Sequence, residues 1–128
     1  MNNELSPKLI VTDPDAAISF YSKALDAALA LRVADDNDVV VHAELTMGGS
    51  MFALAQAVDE WGWHAPESLS GSPVLLTITA SDPDSTAERM AQNGASIVIP
   101  VENRPYGKRQ GRVRDPHGHL WIISGDHR

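Results

Sequence analysis

Two stretches of the chain run through the same succession of hydrophobic and polar positions. In the first, the apolar run Leu9-Ile10-Val11 gives way to Thr12-Asp13-Pro14-Asp15. Ala17, Phe20, Tyr21, Ala24 and Leu25 then recur at helical spacing and make one apolar face. This predicts a buried strand followed by a helix. Asp13 supplies the N-cap oxygen, and Pro14 takes the first helical position, where its missing N–H costs nothing. Strands are predicted over residues 28–33, 39–46 and 51–56. The last two close into a hairpin at Gly48-Gly49, because glycine accepts the positive φ that tight hairpin turns need. In the second stretch, Val74-Leu75-Leu76-Thr77-Ile78 leads to Ser81-Asp82-Pro83-Asp84. A helix capped by Asp82 follows, with Ala87, Met90 and Ala91 inward and Asn93-Gly94 as its stop. Further strands are predicted over 95–101, 109–114 and 120–124, with a loop at 102–108. The last two strands flank the turn Asp115-Pro116-His117-Gly118-His119.

The two stretches keep a constant offset of 69 positions. It superposes Asp13 on Asp82, Gly49 on Gly118, and Met51 to Leu54 on Leu120 to Ile123. A repeat that holds register over a helix start and a distant hairpin is a duplicated supersecondary unit, here β-α-β-β-β. One such unit covers a single sheet face with its helix. Two can curve their sheets together, so the expected fold is α+β, with a curved eight-stranded mixed sheet around a cleft. The cleft is the natural place for a ligand. The expected organisation is a single domain, residues 1–128, with unit 1 at 5–56, a linker at 57–72 and unit 2 at 73–126. The linker shows no periodicity and holds Trp61, Trp63, two glycines and Pro66.

Size and composition narrow the function classes. The 128 residues, 43% hydrophobic and 21% charged, suit one folded domain. No apolar run reaches the length of a membrane span, and the start lacks the pattern of a secretion signal, so a cytoplasmic location and no membrane partner are expected. The absence of cysteine excludes disulfides, thiolate catalysis and Cys-based metal centres. A net charge of −7 argues against a nucleic-acid partner and favours cationic ligands.

The segment Asp13 to Tyr21, of the form D-x-x-A-A-x-x-F-Y, and the stretch Tyr106-Gly107-Lys108-Arg109-Gln110-Gly111 through Asp115-Pro116-His117-Gly118-His119-Leu120-Trp121 carry a resemblance. With the paired units, the chain resembles the glyoxalase/bleomycin-resistance group, the vicinal oxygen chelate superfamily. The resemblance spans essentially the whole chain. Such proteins include metal-dependent isomerases, dioxygenases and thiol transferases, and also metal-free proteins that sequester antibiotics, so fold alone does not choose among them. The family's metal enzymes place one His, Glu or Gln on each of four inner strands. The motif anchors and the 69-residue offset carry those positions to Ser6, Ala53, Leu75 and Ile122. Three are apolar and serine is a poor ligand for a divalent ion, so no metal and no cofactor are expected.

Alternation along the strands puts Met51, Ala53 and Ala55 toward the cleft, with Phe52 and Leu54 beneath the helix. The two-residue turn then pairs Glu44 with Ala53 and sets His42 and Glu44 on the cleft face. Lys8, Ile10, Thr77 and Thr79 face the same way. The candidate ligand-binding residues are His42, Glu44, Trp61, Trp63, Arg104, Tyr106 and Arg109. The two tryptophans suit stacking on an aromatic ligand. The resemblance implies that the loop holding Arg104, Tyr106 and Arg109 edges the pocket. Arg112 and Arg114 read as salt-bridged strand residues. No catalytic residue is assigned. The resulting expectation is a metal-free homodimer that sequesters a hydrophobic or aromatic natural product, including a cationic antibiotic, in a cleft at the dimer interface. The alternative is a metal-dependent lyase or dioxygenase whose ligands are displaced to His42, Glu44 and His64.

Overall fold

A computed structural model describes residues 2–128. The chain divides after Ala65 into two units. Both are organised around an aspartate followed by proline. In unit 1 the Asp13 carboxylate accepts the N–H of Ala16 at 3.2 Å and starts helix α1 (Pro14–Leu25). In unit 2 Asp82 accepts that of Ser85, also at 3.2 Å, and starts α3 (Pro83–Gln92). In both helices proline occupies the first turn without costing a hydrogen bond.

Unit 1 contains β1 (Lys8–Val11), α1, β2 (Ala28–Ala34), β3 (Val40–Met47) and β4 (Ser50–Gln56). Its four strands form one mixed sheet in the order β1-β4-β3-β2, with β1 parallel to β4 and the other pairs antiparallel. Leu9, Val11, Leu45, Phe52 and Leu54 are buried on the helix side. Tyr21 of α1 meets Phe52 edge-on, with ring centroids 5.4 Å apart, a favoured aromatic geometry.

Unit 2 repeats the order. The short helix α2 (Pro66–Leu69) precedes β5 (Leu75–Thr79), α3, β6 (Ser96–Asn103), β7 (Lys108–Arg114) and β8 (Leu120–Asp126). The sheet order β5-β8-β7-β6 is that of unit 1, again mixed. Ile78, Val113, Trp121 and Ile123 are buried beneath α3, where Ala87 and Met90 meet them. Lys8 pairs with Ala53 in the first sheet and Thr77 with Ile122 in the second, so the 69-residue offset is an offset of strand register.

The final hairpin departs from its unit-1 counterpart. Met47 pairs directly with Ser50 across two glycines, whereas the Asp115 N–H donates to the His119 carbonyl across three residues. The extra residue is accommodated around Asp115, which is 2% exposed. Its carboxylate accepts the backbone N–H groups of His117 (2.8 Å) and His119 (3.1 Å) and the indole N–H of Trp121 (2.8 Å).

Two segments differ from the sequence expectation. The stretch read as a linker without periodicity, 57–72, contains secondary structure of its own. It holds a 3-10 turn (Asp59–Trp61) and α2, and the boundary between units falls inside it. The loop expected at 102–108 is shorter, because β6 runs on to Asn103. What remains is a turn in which the Gly107 N–H donates to the Arg104 carbonyl, with Pro105 pre-setting the backbone.

Candidate functional site

The face of the first sheet turned away from α1 can be built row by row. Leu9 and Val11 point at the helix, so Lys8 and Ile10 point the other way. Lys8 lies beside Ala53, Ala53 beside Glu44, and Glu44 beside Leu31. His42 is two residues from Glu44 and shares its face. Its Nε2 lies 2.8 Å from Glu44 Oε2, with both side chains about one-third exposed. The pair places an oriented imidazole and a carboxylate on an otherwise apolar surface where Leu31 and Val33 are 43% and 41% exposed.

The tryptophans come from the tight turn that follows β4. Trp61 donates its N–H to the Val58 carbonyl (3.0 Å), and Val58 and Trp63 exchange backbone hydrogen bonds as an isolated bridge. Gly62 sits between them at φ 75°, a left-handed conformation that favours glycine. His64 Nδ1 lies 3.0 Å from Asp59 Oδ1 and ties the two ends of the turn together. The indoles of Trp61 and Trp63 meet edge to face, centroids 5.1 Å apart. The ammonium of Lys8 lies 5.3 Å from the Trp63 ring centroid, a cation–π distance that joins the turn to the sheet face. Trp63 is half-buried, while Trp61 is 66% exposed. Lys8 is therefore a member of this site that was not among the candidates. Its signal in the sequence was the alternation that already turned it toward the cleft.

The other candidates lie in unit 2. Arg104 is an internal strut. Its Nε donates to the Gln110 carbonyl (3.0 Å) and its Nη2 to the Pro100 carbonyl (2.6 Å). Tyr106 is 65% exposed, yet held, because its hydroxyl donates to Gln110 Oε1 at 2.8 Å. The Gln110 amide in turn donates to Ser124 Oγ at 2.9 Å. Arg109 points elsewhere. Val113 and Gly111 of β7 face the helix, and Arg109 has the same parity. It grips Asp84 of α3 with two hydrogen bonds, Nε to Oδ1 at 2.6 Å and Nη2 to Oδ2 at 2.7 Å. That bidentate pair ties a strand to a helix start and occupies the guanidinium. By contrast, Arg112 and Arg114, expected in salt bridges, have no hydrogen-bond or ion-pair partner for their side chains among the described residues.

The Arg109 guanidinium holds the Asp84 carboxyl below the usual carboxylate range, chiefly through its hydrogen bonds. A depressed folded-state pKa gives stability that is complete above the unfolded value, near 3.8, and is lost as pH falls through the folded value. Asp84→Asn should therefore be less stable than the wild type at neutral pH. The gap should begin to narrow only below about pH 4 and close as pH falls through the lowered folded value. Urea unfolding at pH 7, 4 and 2.5 checks this; a gap that stays constant with pH would show that the pair contributes nothing.

Residues 5–123 match the Glyoxalase/Bleomycin resistance protein/Dioxygenase superfamily, and the chain belongs to that family. Among curated relatives, uncharacterised proteins of Mycobacterium bovis and Mycobacterium tuberculosis are each 38% identical over 123 residues. That alignment covers 94% of this chain, with 81% of the former protein and 72% of the latter. Among solved structures, TioX from Micromonospora sp. ML1 is 28% identical with a TM-score of 0.74, over 97% of this chain and 99% of its own. Protein PA1353 from Pseudomonas aeruginosa, 18% identical over 99% of this chain and 100% of its own, shares the fold at a TM-score of 0.77.

The residues present do not fit the metal that many enzymes of this fold carry. Ala53 and Ile122, cross-strand neighbours of Lys8 and Thr77, offer no donor atom, and neither does Leu75. The displaced set is not assembled either. His42 pairs with Glu44, while His64 pairs with Asp59 instead. Among the described residues no three His, Asp or Glu side chains come together as a metal site. Nor is any helix among them long and apolar enough to cross a membrane.

Proposed function

We propose that the protein is a cytoplasmic, metal-free binding protein that sequesters a hydrophobic or aromatic natural product, conferring antibiotic resistance by occupancy and acting as a homodimer. The observation that carries this reading is the Trp61–Trp63 pair. Two indoles are set edge to face on a turn whose backbone is fixed by the Val58–Trp63 bridge, and the outer indole is left two-thirds exposed. Leaving so large a ring in water forgoes about 2 kcal/mol of burial. A rigid, exposed aromatic is what stacking on a flat ligand requires. Lys8, Leu31, Val33 and the His42–Glu44 pair supply the mixed apolar and polar surface typical of a small-molecule site.

Sequestration means tight binding with no chemical change. In a thermal-shift screen of aromatic antibiotics, a ligand of the protein should raise the melting temperature in proportion to occupancy. Mass spectrometry after prolonged incubation should return the compound unaltered, and EDTA should not affect binding. Catalytic conversion of the bound compound, or binding abolished by EDTA, would sink the reading. Light scattering should report a dimer. Trp61→Ala should weaken binding by about 1–3 kcal/mol with the fold intact, the usual scale for an aromatic anchor. An unchanged Kd would remove Trp61 from the site.

A further inference from the structure

Unit 2 contains a pocket of about 180 Å³ lined by Ile99, Arg104, Tyr106, Gln110, Gly111 and Arg112. Its polar groups are unequally committed. Arg104 spends its donors on two backbone carbonyls, with Glu102 3.8 Å away. Gln110 accepts from Tyr106 and donates to Ser124. Of these pocket groups, the guanidinium of Arg112 is the one with no partner among the described residues. Acidic residues outnumber basic ones by 17 to 10 in this chain, yet Arg112, like Arg114 outside the pocket, pairs with no acidic side chain among the described residues. Arg32, Arg109 and Arg128 each have an aspartate within reach, and Arg104 has Glu102. The Tyr106 ring, exposed but pinned through its hydroxyl, lines the same pocket, so a flat surface and a free fork of donors share one small cavity.

We infer that this pocket binds the carboxylate of an aromatic ligand, with the Arg112 guanidinium paired to the carboxylate and the Tyr106 ring against the aromatic body. A planar guanidinium matches a carboxylate bidentately, and a charge-assisted pair is about twice as strong as a neutral hydrogen bond. The acidic chain as a whole repels anions, so a local cation is the feature needed to hold one. The inference rests on the reading of the protein as a binder of aromatic molecules, and it specifies the charge of the ligand that this pocket takes.

The test is titration calorimetry with 2-naphthoate, its neutral amide 2-naphthamide, and the cation 2-naphthylmethylammonium. Naphthoate should bind about tenfold or more tightly than the amide, and the cation least. Arg112→Gln should abolish that preference while leaving the amide's affinity unchanged; Arg112→Lys should restore part of it. Arg114→Gln, at a strand position outside the pocket, should leave all three affinities unchanged. Circular dichroism should confirm that each variant is folded. Equal binding of the three probes by the wild type would overturn the inference while leaving the aromatic-binding reading in place. A naphthoate preference that survives Arg112→Gln would overturn the role of Arg112. No binding by any probe would overturn the inference and count against the aromatic reading as well.

Discussion

Asp115→Ala is expected to destabilise the protein by about 3–5 kcal/mol, the scale of losing a buried charged hydrogen-bond hub. The carboxylate is 2% exposed and serves donors from two structural levels. One oxygen accepts the N–H groups of His117 and His119 and so closes the turn. The other accepts the indole N–H of Trp121, which is 4% exposed in the core of unit 2. Alanine would strand these donors, and each buried unpaired donor costs about 1–3 kcal/mol. Asp115→Asn keeps one acceptor oxygen but turns an N–H toward a donor on the other side, so it should fall between wild type and alanine. Urea unfolding should show lower midpoints with unchanged m-values. A loss below about 1 kcal/mol for the alanine variant would mean that the hub holds little of the turn.

This hub also shows which features of the chain are legible in its sequence. The Asp-Pro helix starts, the strand alternation and the glycine hairpin are local signals, fixed by capping geometry and backbone sterics, and all appear at the expected residues. So does the pairing of Glu44 with Ala53. The fold of 57–72 had no such signal. Its structure comes from a main-chain bridge between Val58 and Trp63 and from the left-handed Gly62, neither of which leaves an apolar period. The turn does, however, present the two tryptophans that composition alone had singled out.

In the second unit, reading the site depended on the parity of one strand. β7 carries arginine at 109, 112 and 114, and charge alone does not say which face each takes. Val113 is the large apolar residue of that strand and is 1% exposed, which sends odd positions to the helix. Arg109 therefore reaches Asp84, and Arg112 is left on the open face. Parity from a single valine is a weak signal beside three arginines, which is why the structural and the free arginine exchange places between sequence and structure. The same parity brings Gln110 beneath Tyr106, a contact with no trace in residue spacing.

Gly125→Ala is expected to cost about 2–4 kcal/mol, the upper range for overpacking against atoms that cannot move. A Cβ at this position would lie 2.7 Å from Pro83 Cδ, 2.8 Å from Pro83 Cγ and 2.8 Å from the Ala80 carbonyl oxygen. None of these is the free end of a side chain. The proline ring opens α3, and the carbonyl belongs to a segment pinned by the hydrogen bond from the Ala80 N–H to the Ser124 carbonyl (2.7 Å). The end of β8 would have to move away from the helix start, loosening the packing of both. The repeat gives no warning of this, because Gln56 stands at the equivalent position of unit 1. Gly48→Ala is the matched control. It has φ 58° with open space around the added atom, so only backbone strain of about 1 kcal/mol applies. Urea midpoints should therefore fall in the order wild type, Gly48→Ala, Gly125→Ala. Should the two glycine variants prove equally stable, crowding at the start of α3 would not be what selects glycine at 125.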